Sequence, residues 1–177
     1  MLAILGDTHI PGRASQIPPA FIREIQRVRP EKILFTGDAI KQEPIIELGK
    51  IAPVVHVRGN MDEVPAPDKE IITWQVKILL LHGQQVSPRG DHGQLQDLGR
   101  RNGCKVVVSG HTHKPEVIEG NIVLLNPGSA TGVWGGLSDA PPPSMLFVES
   151  NQALLLVKLI QLIGMDLVKK EFKIPLV

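Results

Sequence analysis

A chain of 177 residues can bury a core without disulfides or a structural metal. Its net charge of +1, from 19 Lys and Arg against 18 Asp and Glu, leaves no basic footprint for a reader of nucleic-acid backbone. The apolar residues, 42% of the chain, are mainly aliphatic. With no Tyr, two Trp and four Phe there is no aromatic platform for stacking single-stranded bases. One cysteine, Cys104, excludes an internal bridge and points to a reducing, cytoplasmic setting.

In chain order, Leu2 to Leu5 reads as a short core strand, too short and without the basic flank for a signal peptide, and it ends in Gly6-Asp7-Thr8-His9. Pro18 and Pro19 open a helix to about Val28, with Phe21, Ile22, Ile25 and Val28 on one face. Lys32 to Phe35 is a second strand, closed by Thr36-Gly37-Asp38. A short helix spans Pro44 to Ile51, and a third strand, Pro53 to Val57, ends in Arg58-Gly59-Asn60-Met61-Asp62. Strands are predicted at Ile71 to Trp74 and Val76 to Leu81, the latter running into His82-Gly83, then a helix at Gly93 to Arg101. Val106 to Val108 is a strand closed by Ser109-Gly110-His111-Thr112-His113. Val117-Ile118 and Ile122 to Leu125 pair about Glu119-Gly120-Asn121 and lead to Asn126-Pro127-Gly128-Ser129. A Gly/Pro-rich loop at 135–143 precedes strands at Ser144 to Val148 and Ala153 to Ile163, with a last one at Phe172 to Ile174. The last long apolar run is broken by Lys158 and Gln161, so no membrane span is expected. Alternating strands and helices, then mostly strands, predict an α/β fold with two packed sheets in a single domain over residues 1–177.

Asp7, His9, Asp38, Asn60, His82, His111 and His113 each follow a short apolar strand within a few residues. Open α/β sheets bind ligands beyond the C-terminal ends of their strands, so these scattered residues are expected to converge. Carboxylate and imidazole donors without thiolates suit Mn, Fe, Zn or Ni. A carboxylate can bridge two such cations about 3.5–4 Å apart, and a metal-bound water deprotonates near neutral pH. A lone Asp-x-His or His-x-His is ordinary turn chemistry; five such segments, each at a strand end, are not. His56, inside a strand, and His92, in a polar loop, are expected to be structural or solvated.

Taken in order, Gly6-Asp7-Thr8-His9, Gly37-Asp38, Gly59-Asn60-Met61-Asp62, His82-Gly83, Gly110-His111-Thr112-His113 and Asn126-Pro127-Gly128-Ser129 resemble the motif set of the calcineurin-like metallophosphoesterases, most closely its small single-domain phosphodiesterases. The resemblance implies an α/β/β/α sandwich and two divalent cations, Mn²⁺ favoured with Zn²⁺, Ni²⁺ or Fe²⁺ as alternatives. Asp7, His9 and His113 would hold one cation and Asn60, His82 and His111 the other, with Asp38 bridging. Asp38, Asn60 and His111 are the residues expected to carry catalysis on a phosphate ester, most plainly a diester, with a metal-bridged hydroxide attacking phosphorus in line. Many catalytic members carry His where this chain has Met61. Met61 donates no proton, so poor leaving groups should react slowly, and Asp62 becomes structural.

A second resemblance, through Gly6 to Pro11, Gly110 to Lys114, Asn126 to Gly132 and Gln161 to Gly164, is to the phosphoesterase-fold subunit of retromer, a scaffold whose bridging Asp and Asn ligand are replaced. Asp38 and Asn60 are intact here, which favours an enzyme over a protein-binding scaffold that keeps metal for structure. No glycine-rich phosphate loop supports a nucleotide-binding module. Both faces of the Ala153 to Ile163 strand are apolar, interrupted by Lys158, which implies either a covering layer or a protein partner. The stretch from Gln84 to Gly93, with Arg89, is expected to border the pocket.

Overall fold

The computed structural model describes residues 1–136, 139–151 and 153–176. The predicted loop at 135–143 includes 137 and 138, which lie outside the described residues. The elements run β1 (Leu2–Leu5), α1 (Pro19–Val28), β2 (Lys32–Phe35), α2 (Glu43–Gly49), β3 (Val54–His56), β4 (Lys69–Thr73), β5 (Lys77–Leu81), α3 (His92–Arg101), β6 (Val106–Val108), β7 (Pro115–Ile118), β8 (Val123–Pro127), β9 (Ser144–Ser150), β10 (Leu154–Ile163) and β11 (Asp166–Pro175).

Two sheets result, in the orders β11-β10-β9-β1-β2-β3 and β4-β5-β6-β8-β7. Strands β1, β2 and β3 are parallel, as are β5, β6 and β8; the remaining neighbours are antiparallel. The parallel strands are short aliphatic runs because both their faces are covered. Leu2, Ile4 and Leu34 point between the sheets, where they meet Ile78, Leu80, Val106 and Val108. Their alternate neighbours Ala3, Leu5, Ile33 and Phe35 pack under Phe21 and Ile25 of α1 and Leu48 of α2. On the far side, Leu79, Leu81, Val107 and Leu124 pack under Leu95 of α3. The layers are therefore α/β/β/α, as expected, and the parallel strands of both sheets deliver their C-terminal loops to one edge. Among the described residues no helix is long and apolar enough to cross a membrane.

Local chemistry explains several boundaries. Pro19 opens α1 and Arg29 closes it in a left-handed conformation at φ 52°; Asp91 caps α3 by accepting the Gln94 N–H at 2.8 Å. That cap brings His92 into the helix rather than the loop before it. β11 is longer than predicted, pairing with β10 from Asp166 to Pro175. Its alternation is masked by Lys169, Lys170, Glu171 and Lys173, charges suited to an edge strand that must not recruit another chain.

One buried charge ties an edge to a helix. Glu24 of α1 is 8% exposed; it accepts a forked pair from Arg27, both at 2.8 Å, and Lys169 Nζ of β11 at 2.6 Å. The Arg27 hydrogen bonds, and then Lys169, outweigh burial and lower the Glu24 pKa to about 2. A carboxylate lowered this way stabilises the fold above its unfolded pKa, and that contribution fades as pH falls towards 2. Glu24→Gln should cost about 1–2 kcal/mol at pH 7 and almost nothing near pH 2, measured by denaturant unfolding. An equal cost at both pH values would show that charge is not the cause.

Candidate metal centre

All seven residues expected at strand ends meet at that shared edge. Asp7 and His9 follow β1, Asp38 follows β2, Asn60 follows β3, His82 follows β5, and His111 and His113 follow β6. Asp7, His9, Asp38, His111 and His113 have left-handed backbones, with φ of 50°, 49°, 55°, 70° and 60°. Few non-glycine residues rest there, and each costs on the order of 1 kcal/mol or more. The repeated left-handed positions at 7 and 9, and at 111 and 113, turn the ligand side chains of each loop inward together.

Asp7, His9, Asp38 and His113 each offer a donor atom within 4.8 Å of the others. His9 Nε2 lies 3.0 Å from His113 Nε2 and 3.4 Å from Asp38 Oδ2, and His113 Nε2 lies 3.4 Å from Asp7 Oδ1. A second group adjoins it: His82 Nε2 is 3.2 Å from Asn60 Oδ1, 3.0 Å from His111 Nδ1 and 3.5 Å from Asp38 Oδ2. Two donors on one cation at about 2.0–2.2 Å lie about 3.0–3.6 Å apart, so both spacings suit a metal. Asp38 Oδ2 stands between the two groups, while Oδ1 accepts the Met61 N–H at 2.8 Å.

Protonation agrees with that use. His82 Nδ1 donates to the Thr36 carbonyl at 2.8 Å and His113 Nδ1 to the Val133 carbonyl at 2.7 Å. A carbonyl only accepts, so each bond fixes a proton on Nδ1 and, in the neutral ring, turns a bare Nε2 inward. His82 Nε2 and Asn60 Oδ1 then face each other as two acceptors, an arrangement a cation between them relieves. Burial lowers His9 and His111 to about 4, so both rings are neutral at pH 7. Burial raises Asp38. At Asp7 burial pushes upward, but the His113 hydrogen bond and the neighbouring imidazoles carry it below its usual value. At His113 burial pushes downward, and Asp7, joined by the Val133 carbonyl and Asp38, more than compensates. A proton held by the Asp7–His113 pair occupies the place where a cation would bind, so metal binding should weaken with acid. These donors fit a divalent metal.

The scaffold behind the candidate ligands joins one residue whose role was expected to others whose roles the sequence did not reveal. Asp62 accepts the N–H groups of Asp38 (2.9 Å), Ile40 (2.8 Å) and Gly59 (2.7 Å), which is the structural role expected of it. Ser129 donates to the Asp7 carbonyl at 2.8 Å, and Asn126 Nδ2 to the Gly110 carbonyl at 2.9 Å, so the Asn-Pro-Gly-Ser turn braces two ligand loops at once. Residues 133–135 form a strap against His113. A Cβ on Gly135 would lie 2.7 Å from His113 Cγ, which the proline- and glycine-rich composition there hinted at only as a loop. His56 and His92 lie outside the cluster, and His92 Nε2 meets Glu116 at 3.2 Å. A pocket of ≈ 240 Å³ beside α3, lined by Gln85, Gln94, Asp97 and Arg101 among others, includes none of the seven candidate residues. The metal centre opens into a cleft of ≈ 60 Å³ lined by His9, Asp38, Asn60, Met61, His111 and His113, with Arg13 and Arg89 on its rim.

A two-sheet sandwich with Asp, Asn and His donors at its strand ends is the architecture of a metallophosphoesterase. Residues 1–152 match the calcineurin-like phosphoesterase superfamily domain, and the chain belongs to that superfamily. It is 42% identical over 136 residues to a probable metallophosphoesterase of Methanothermobacter thermautotrophicus, covering 74% of this chain and 77% of that one. To a probable metallophosphoesterase of Methanocaldococcus jannaschii it is 41% identical over 133 residues, covering 74% and 68%. Among solved structures it is similar to Vps29 of Entamoeba histolytica complexed with Zn²⁺, at TM-score 0.91 and 34% identity over 97% of this chain and 98% of that one. The second likeness expected from the sequence, to a sorting-coat subunit, is borne out by that neighbour.

Proposed function

We propose that this chain, as one domain over residues 1–177, is a metal-dependent phosphodiesterase that binds two divalent cations. The observation that carries the reading is Asp38 Oδ2, placed 3.4 Å from His9 Nε2 and 3.5 Å from His82 Nε2, within reach of both donor groups. Asp7, His9 and His113 would hold one cation, Asn60, His82 and His111 the other, and Asp38 would serve both. Mn²⁺ is the favoured occupant; the same donors accept Zn²⁺, Ni²⁺ or Fe²⁺. Such cations supply Lewis-acid polarisation of a phosphoryl oxygen and a water made acidic enough to attack.

The chain's own groups set the geometry. The Met61 N–H holds Asp38 by Oδ1 and so aims Oδ2 inward. His111 and His113 edge the cleft where charge builds on the transferring phosphoryl group. Met61, 43% exposed on the cleft wall, has no proton for a departing oxygen, so the leaving group must depart largely unaided. Buried Cys104, its thiol pushed up by burial, suits a reducing, cytoplasmic compartment.

Reconstitution with Mn²⁺ should give two metals per chain by elemental analysis. Bis(4-nitrophenyl) phosphate should be hydrolysed well and an alkyl phosphate monoester poorly, with Met61→His raising turnover chiefly on the poor leaving group. A content of about one metal or less sinks the two-metal reading. An equal gain on both esters sinks the role given to Met61.

One observation favours a second reading, a protein-binding scaffold. α1 and the facing sheet cover Leu155, Val157, Leu159 and Ile160. Leu154 and Leu156 stay half-buried and line a groove of ≈ 210 Å³ with Glu149, Ser150 and Asn151. This groove shares no residue with the metal cleft, so the two readings can be separated by mutation.

A further inference from the structure

Arg13 and Arg89 stand on the rim of the candidate metal cleft, whose lining also includes His9, Asp38, Asn60, His111 and His113. Both are anchored by backbone. Arg13 Nη1 donates to the Trp134 carbonyl at 2.8 Å, and Arg89 Nη1 to the Gly135 carbonyl. The Val133 carbonyl next to them takes the His113 Nδ1 proton. Three consecutive carbonyls of one strap therefore orient one ligand and two guanidinium groups. Each arginine spends one nitrogen on the strap, and among the described residues neither has a carboxylate within ion-pair distance. An exposed rim arginine is ordinarily just solvated. Two that flank one cleft, fixed in orientation and without a counter-ion, form a fork suited to phosphate.

Charge balance says which phosphate. Two divalent cations set against Asp7 and Asp38 leave a surplus that a diester monoanion and an attacking hydroxide already neutralise. The two guanidinium charges are additional. We propose that Arg13 and Arg89 form a second anion position beside the metal centre, and that the substrate is a phosphate ester carrying a further phosphate on its non-transferred side. This rests on the phosphoesterase reading above.

The test is calorimetric titration of the Mn²⁺-loaded protein with adenosine 5′-monophosphate and adenosine 3′,5′-bisphosphate, which differ by one phosphate. The bisphosphate should bind at least about tenfold tighter, with an advantage that shrinks as salt is added. In Arg13→Gln and Arg89→Gln the bisphosphate should lose about tenfold and the monophosphate less than about threefold, while Arg89→Lys, which keeps the charge, should recover part of the loss. A purely structural role for the arginines would weaken both ligands alike. Equal affinities in the wild type, or an advantage that survives both Gln variants, overturns the proposal. The wild-type comparison needs no variant to fold. If a simple diester is hydrolysed while the two ligands bind alike, the anion position alone falls. If neither ligand binds and no ester is hydrolysed with any metal, both readings fall.

Discussion

Asp38→Asn should leave the fold standing and reduce hydrolysis by at least about 10²-fold. Asn is nearly isosteric, and its Oδ1 can still accept the Met61 N–H that Asp38 accepts at 2.8 Å. Its Nδ2 then replaces the oxygen that lies 3.4 Å from His9 Nε2 and 3.5 Å from His82 Nε2. A donor that cannot ligate takes the place of the carboxylate oxygen proposed to be shared, and the negative charge that would hold two cations close is lost. Metal content should drop by at least one per chain while the thermal midpoint of the metal-free protein barely moves. Binding of any partner at Leu154 and Leu156 should be unaffected. Intact hydrolysis in this variant would end the two-metal mechanism. A wild type that hydrolyses nothing with any metal, yet binds a partner through Leu154 or Leu156, would establish the scaffold reading instead.

The second large effect is expected at a residue with no chemistry of its own. A Cβ on Gly59 would lie 2.0 Å from Asp38 Oδ1 and 2.4 Å from the Asp38 backbone nitrogen. The Gly59 N–H also donates to Asp62 at 2.7 Å, so neither loop can retreat without losing the bonds that shape the other. Gly59→Ala should destabilise by about 1–3 kcal/mol and displace Asp38 enough to abolish tight metal binding. For a chain of this length that is a fall of several degrees in midpoint, on the order of 5 °C. Gly49→Ala is the control: nothing lies within 4 Å of a Cβ there, so its midpoint should hold or rise. A Gly59→Ala protein with wild-type midpoint and metal affinity would refute the close-packing argument.

The layout of the site was legible because each ligand type follows an aliphatic run, and period and composition report buried parallel strands well. Asp7, Asp38 and His82 are found this way without any knowledge of their neighbours. The features that set the ligands' states were hidden, because they depend on which backbone atoms meet across the fold. Nothing in the residue types at Thr36 or Val133 announces that their carbonyls fix the imidazole protons of His82 and His113. The closeness of Gly59 to Asp38 is likewise a fact of three dimensions. β11 was foreshortened for a local reason: a run of lysines on an edge strand imitates a loop. The doubly apolar pattern of β10 was half explained, since cover extends over Ile160 but leaves Leu154 and Leu156 partly open.

The left-handed backbones at five of the seven ligand positions bear on how such a protein changes over generations. Each is a residue kept in a conformation that glycine adopts freely, so these loops carry backbone strain on the order of 1 kcal/mol per position. If these side chains bind metal as proposed, selection for catalysis holds that cost in place. Were that selection to relax, a change to glycine at one of these positions would remove a donor and its backbone strain in one step. The sheets should therefore outlast the chemistry in any lineage that finds another use for the surface.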